Sequence, residues 1–148
     1  MKARILAVAP GGGHLREARI ALELVSGSDV VYVTTRLPHL LETASPNMIF
    51  IVDPHRSLHK YILNIVQSFA IYRKTTPEII LSTGGGQSIA LFLIGKILGC
   101  KTIFVESGSR IQFPSKTGRL LYHFSDHFFI QSPNLFAFYP KAKFLRVM

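Results

Sequence analysis

Three glycines and a histidine in succession, Gly11-Gly12-Gly13-His14, follow an apolar run over residues 4–9, and a second cluster, Gly84-Gly85-Gly86, follows another over 79–81. Residues without a Cβ let the backbone take positive φ and come close to a ligand, and a helix starting just beyond offers unpaired N–H groups and the positive end of its dipole. Each cluster is a candidate anion cradle. The plainer reading is a tight turn between strand and helix, which usually needs one glycine rather than three. His14 stands where the helix begins, so its imidazole is placed to act as a general base or to donate a hydrogen bond to a phosphate; the competing reading is a ring packed on the turn. Glu106 and Asp53 are the carboxylates at or just beyond predicted strand ends, where a base or a positioning group belongs. Glu106 and Arg110 alternatively form a structural ion pair.

Several familiar chemistries fail at the level of spacing. A dinucleotide fingerprint counted from Gly11 needs Gly or Ala at Arg16, and an acidic residue where Thr34-Thr35-Arg36 ends the second strand. Neither glycine cluster is followed by the Lys-Ser or Lys-Thr of a Walker loop. His123, Asp126 and His127 straddle a helix-to-strand boundary and read as packing and surface positions, while His39, His55 and His59 have no thiol or carboxylate in a ligand pattern. No metal and no cofactor are expected. The single cysteine, Cys100, excludes an intrachain disulfide and reads as a small buried hydrophobe.

The totals narrow the choice of partner. In 148 residues, 17 Lys and Arg stand against 8 Asp and Glu, a net charge of +9 that favours anionic ligands such as phosphates or acidic headgroups. Yet 48% of residues are hydrophobic and the mean hydropathy is +0.30, which points to a membrane surface or a missing partner chain. No run reaches the roughly 18–20 apolar residues of a spanning helix. The basic and then apolar first residues, too short for a secretory signal, read as a first strand. With no recognition motif and no clustered basic helix, a nucleic-acid partner is not expected.

Elements that position these residues follow from periodicity. Strands are expected over 4–9, 30–34, 48–52, 79–81, 102–105 and 127–130, with an edge strand near the end at 143–148. Helices are expected from residue 15 until Ser26-Gly27-Ser28 stops the run, then over 37–44, 58–72, 89–98 and 116–124, with a short helix start over 133–138. The helix at 58–72 is apolar almost all round and basic at both ends; a doubly buried helix is the ordinary expectation, an interfacial or partner-facing one the alternative. Strands alternating with helices make an α/β Rossmann-like parallel sheet with helices on both faces. Ligands in such sheets lie outside the carboxyl ends of the strands, so both glycine turns and Glu106 share one rim. One domain over 1–148 is expected.

Beyond the glycine turns, Val105-Glu106-Ser107-Gly108-Ser109-Arg110, Thr117-Gly118-Arg119-Leu120-Leu121-Tyr122, Asp126-His127-Phe128, Ile130-Gln131 and Tyr139-Pro140-Lys141-Ala142 complete a pattern. It resembles the acceptor-binding subunit of split glycosyltransferases, a family that includes the membrane-anchoring subunit of the N-acetylglucosamine transferase of dolichol-linked oligosaccharide assembly and bacterial members in exopolysaccharide and capsule synthesis. More distantly, the glycine turns resemble those of the transferase that makes the peptidoglycan lipid precursor. The resemblance implies the N-terminal half of a GT-B glycosyltransferase, with a separate chain supplying the nucleotide-sugar-binding half. Gly11, Gly12, Gly13, Gly84, Gly85 and Gly86, with Arg110, would hold the diphosphate of a polyprenyl-linked sugar, and His14 or Glu106 would take the acceptor's proton as the sugar is transferred with inversion. Eukaryotic members begin with a spanning anchor that this sequence does not show, which implies peripheral attachment on the cytoplasmic face through surfaces such as 58–74. Two rivals remain at this stage: a non-catalytic membrane scaffold for the catalytic partner, and a self-sufficient nucleotide-binding Rossmann-like enzyme.

Overall fold

A computed structural model of the chain describes residues 4–147 apart from 24, 26 and 27. The helix stop expected at Ser26 and Gly27 therefore lies outside the described residues. Seven parallel strands form one sheet: β1 (Arg4–Val8), β2 (Asp29–Thr35), β3 (Met48–Ile51), β4 (Ile79–Ser82), β5 (Lys101–Val105), β6 (His127–Ile130) and β7 (Lys143–Phe144), in the order β3-β2-β1-β4-β5-β6-β7. The order reverses between β1 and β4, so the crevice beyond their carboxyl ends is the topological switch point where open α/β sheets bind ligands. Both glycine turns open on it. The expected strand–helix alternation is present, and the edge strand expected over 143–148 is limited to Lys143–Phe144, Met148 lying outside the described residues.

Side chains alternate along each strand and feed two cores. On one face Leu6 and Val8 of β1 join Ile80, Phe104 and Phe128 beneath α3 (Leu58–Thr75), α4 (Ile89–Ile97) and α5 (Lys116–Leu121). On the other, Ile5 and Ala7 join Leu81 and Val105 beneath α1 (Gly13–Glu23) and α2 (Pro38–Glu42). Short 3₁₀ turns occupy Gly86–Ser88, Tyr122–Phe124 and Pro133–Ala137. Two expected helices are thus shortened: the one expected over 116–124 ends as a 3₁₀ turn, and the start expected at 133 stays 3₁₀ throughout.

The doubly buried reading of α3 is overturned. Its buried residues are Asn64, Ser68 and Ile71, whereas Leu58, Tyr61, Ile62, Leu63, Ile65, Val66 and Phe69 are all exposed. The helix sits polar side inward because the loops beneath it have backbone groups to satisfy. Asn64 Nδ2 donates to the Val52 carbonyl at 2.8 Å and to the Gln87 carbonyl at 3.2 Å, and Gln67 Oε1 accepts from the Val52 N–H at 2.9 Å. Leaving seven large apolar side chains half in water forgoes on the order of 5–10 kcal/mol of burial. Among the described residues, no helix is long and apolar enough to cross a membrane.

Asp126 ties the far ends of these elements together. Its Oδ1 pairs with Lys96 Nζ of α4 at 2.7 Å, and its Oδ2 accepts from the Thr102 N–H at 2.8 Å and hydroxyl at 3.1 Å on β5. Burial alone would raise its carboxyl, but the Lys96 ammonium and the two Thr102 donors outweigh burial and hold it down to about 2. An unfolded aspartate titrates near ~3.9, so this bond's stabilisation is full above that pH and lost as pH falls through 2. Because the Lys96 side chain is 36% exposed, screening reduces the contribution to about 1–2 kcal/mol. Thermal melts should separate wild type from Asp126→Asn at pH 6 and bring the two curves together near pH 2; a constant gap would refute the assignment.

Candidate functional site at the switch point

Three glycines after β1 carry three different tasks. A Cβ on Gly11 would run into the side chains of Leu37 and Leu40, so this residue lets α2 close on the turn. Gly12 turns the chain with a φ of 85°, a left-handed value costly for any other residue type. Gly13 opens α1 and faces free space. In the second cluster Gly84 has φ 121°, and its Cβ position lies 3.6 Å from His14 Cε1. Gly85 backs onto the buried Gln87 side chain, and Gly86 starts a 3₁₀ turn beside Pro54.

The two turns are stapled to each other across the switch point. His14 Nδ1 lies 2.8 Å from the Thr83 carbonyl, and the Thr83 hydroxyl donates to the His14 carbonyl, also at 2.8 Å. A carbonyl oxygen only accepts, so the ring carries its proton on Nδ1, and in the neutral imidazole the lone pair is left on Nε2. That is the tautomer a base needs. One turn further along α1, Glu17 is buried and its Oε1 accepts from the Ser107 hydroxyl at 3.2 Å and the Gly108 N–H at 3.0 Å. Helix α1 is thereby fastened to the loop after β4 through His14 and to the loop after β5 through Glu17.

A cleft of about 630 Å³ lies over this assembly, and His14, Gly84, Gly85, Arg110, Lys116 and Arg119 are among the residues that line it. The Arg119 guanidinium sits 5.6 Å from the centre of the Phe138 ring, a cation–π contact that braces it. The residues expected at the site are therefore partly assembled: His14, Gly84, Gly85 and Arg110 line one cleft, whereas Gly11, Gly12, Gly13 and Gly86 stand behind or beside it. Asp53 lies elsewhere on the rim, 3.6 Å from His55 Nε2.

Glu106 sits beneath the cleft rather than in it. It is 1% exposed, and neutral donors take up its carboxylate: Ser115 hydroxyl on Oε1 at 2.7 Å, and Ser115 N–H at 3.1 Å with Tyr139 hydroxyl at 2.9 Å on Oε2. These bonds stand in place of the ion pair with Arg110 that the sequence offered as an alternative. Burial first, and the Glu106 charge second, push the Tyr139 hydroxyl well above the ordinary phenol range, so it stays the donor in this bond. Ser115 also accepts from the Gly118 N–H at 2.9 Å as the N-cap of α5. Glu106 therefore anchors the start of the helix that carries Lys116 and Arg119.

Lys116, Arg119 and Glu17 are functional candidates that sequence reasoning missed. Lys116 and Arg119 had one local signal, a capping serine followed by cations in Ser115-Lys116-Thr117-Gly118-Arg119. Glu17 had none, since it reads as an exposed residue between Leu15 and Ala18.

The chain is similar to known proteins in sequence and in fold. The family model described as "Oligosaccharide biosynthesis protein Alg14 like" matches residues 53–148, more than half of the chain. The UDP-N-acetylglucosamine transferase subunit ALG14 of Rattus norvegicus is 33% identical over 96 residues, 60% of this chain and 44% of that protein. A second relative, the UDP-N-acetylglucosamine–N-acetylmuramyl-(pentapeptide) pyrophosphoryl-undecaprenol N-acetylglucosamine transferase of Chlorobaculum parvum, is 40% identical over 58 residues, 39% of this chain and 15% of that protein. Among solved structures, MurG of Acinetobacter baumannii superposes with a TM-score of 0.70 at 15% identity over 88% of this chain and 42% of its own. The UDP-N-acetylglucosamine 2-epimerase of Rickettsia bellii does so at 0.75 and 14% identity, over 95% of this chain and 42% of its own. At such identities the structural likeness is one of fold. This chain spans less than half the length of each of these relatives.

Proposed function

The chain belongs to the Alg14-like family of oligosaccharide biosynthesis proteins, and on that premise we propose that it is the acceptor-binding subunit of a two-chain glycosyltransferase. Its acceptor is a sugar carried on a polyprenyl diphosphate, and a second chain supplies most of the UDP-sugar site. The relatives from both groups are named for UDP-N-acetylglucosamine, which makes that the donor to test first. The observation that carries the reading is the single cleft whose lining brings a histidine with a free Nε2 together with three cations and the Gly84-Gly85 turn.

The chemistry divides between these groups. Arg110, Lys116 and Arg119 with the amides of the Gly84-Gly85 turn hold the acceptor's diphosphate, using charges and dipoles already fixed in place. His14 Nε2 takes the proton of the attacking hydroxyl while the oxygen forms its bond to the anomeric carbon. The bond from that carbon to the donor phosphate breaks on the opposite side, and UDP leaves with the electron pair. Glu106, which touches neither reactant, is a positioning residue that fixes α5. The exposed face of α3, flanked by Arg56, Lys60, Arg73 and Lys74, rests on the cytoplasmic face of the membrane and brings the cleft to its lipid-linked substrate.

With a short-chain polyprenyl-diphosphate acceptor and labelled UDP-N-acetylglucosamine, the purified chain alone should give no product, and activity should appear when the partner subunit is added. Transfer by the single chain would refute the two-chain assignment.

A further inference from the structure

A pocket of about 430 Å³ opens where the ends of β2 and β3 meet the first turns of α3, and it shares no lining residue with the cleft around His14. Its floor is apolar, formed by Phe50 and Ile51, and its rim carries the cations Arg36 and Lys60. The one carboxylate of the lining, Asp53, already faces the His55 imidazole. Leu63, which closes the pocket on the helix side, is 47% exposed and continues into the outward face of α3 through Ile62 and Val66. A ligand with its anionic group between Arg36 and Lys60 would leave the pocket along that apolar face. The shape and chemistry are those of an amphiphile's binding site.

The geometry points to a headgroup site for an anionic glycerophospholipid of the bilayer, distinct from the acceptor cleft, which fixes how α3 lies on the membrane. This rests on the reading that α3 docks on a membrane. Two features favour a bilayer lipid over a free anion. The pocket has no glycine-turn amides, so a hydrated phosphate would gain only one exposed and one half-buried cationic side chain. A lipid beneath a docked helix, by contrast, is held at high effective concentration and keeps its acyl chains in the bilayer. From residue 55 to 74 the chain carries Arg56, Lys60, Arg73 and Lys74 and no acidic residue, so the whole element is drawn towards an anionic leaflet. Arg36 and Lys60 are the pair that a pocket, rather than the leaflet's average charge, would use.

Vesicle co-sedimentation of the full chain distinguishes these contributions, using phosphatidylcholine alone and phosphatidylcholine with about a third phosphatidylglycerol, at an ionic strength where diffuse attraction is screened beyond roughly 8 Å. Arg36→Gln with Lys60→Gln should lower the partition onto phosphatidylglycerol vesicles about tenfold more than Arg73→Gln with Lys74→Gln, which removes the same charge from the other end of α3. Equal losses from the two pairs, or full competition by free glycerol phosphate, would overturn the site while leaving membrane docking intact. Ile62→Ser with Val66→Ser should weaken binding to both vesicle types. Unchanged binding by that variant would overturn the docking reading and the headgroup site together.

Discussion

His14→Asn is expected to lower turnover of the assembled transferase by roughly 100- to 10,000-fold, while the acceptor KM and the melting temperature stay close to those of the wild type. The asparagine is chosen because His14 has two tasks on two ring nitrogens. Its Nδ1–H staples the turn after β1 to the Thr83 carbonyl, and an asparagine amide reaches nearly the same place and can keep that 2.8 Å bond. Nothing in asparagine replaces Nε2. His14→Ala removes both, so it should lose turnover to the same extent and also about 1 kcal/mol of stability with the broken hydrogen bond. The comparison decides between catalysis and scaffolding. A chain that only recruited its partner to the membrane would keep its turnover in the asparagine variant, because fold and staple survive; normal kcat there would remove His14 from the chemistry.

Why His14 was legible in the sequence, and much of its surroundings was not, follows from how far each signal reaches along the chain. The apolar runs, the glycine clusters and the shift to helical spacing are local, so the strand–helix alternation, the parallel sheet and the shared rim could be read directly. Burial of polar groups is not local. Glu17 meets its partners Ser107 and Gly108 some ninety positions away, at separations of 90 and 91, and Glu106 meets Tyr139 across 33. Neither pairing leaves a trace in periodicity, so Glu17 read as a solvated helix residue and Glu106 as a rim carboxylate free to act as a base. Helix α3 failed for a different reason. With apolar residues nearly all round, its pattern identifies a helix without saying which side faces in; the choice falls to Asn64 and Gln67, which satisfy backbone groups near Val52 and Gln87. Lys116 and Arg119 gain meaning only once the segment after β5 folds back over His14.

Gly118→Ala sets two local effects of opposite sign against each other. Gly118 lies within α5 without positive φ, so on helix propensity alone alanine should stabilise the protein by about 1 kcal/mol. The site predicts the reverse. An added Cβ would overlap Glu106 Oε2 and stand 2.7 Å from the Tyr139 hydroxyl and 2.8 Å from Ser115 Oγ, inside the network that holds the buried carboxylate. None of these is the loose end of a flexible surface side chain: Tyr139 is 1% exposed and its ring packs at a tilt against Tyr122 and Phe128. Overpacking costs roughly 1–3 kcal/mol, and displacing a buried carboxylate from its donors costs about as much again. The net expectation is a loss of about 2–4 kcal/mol, a fall in melting temperature of roughly 5–15 °C for a chain of this size. Because Ser115 caps the helix bearing Lys116 and Arg119, the acceptor KM should rise as well, at temperatures where the variant is still folded. Glu106→Gln should shift KM in the same direction, since its amide places a donor against the Ser115 and Tyr139 donors. A Gly118→Ala protein that melts at or above the wild-type temperature would mean that propensity prevails and that the Glu106 network has room to relax, and Glu106 would then lose its role in holding the cationic wall of the cleft.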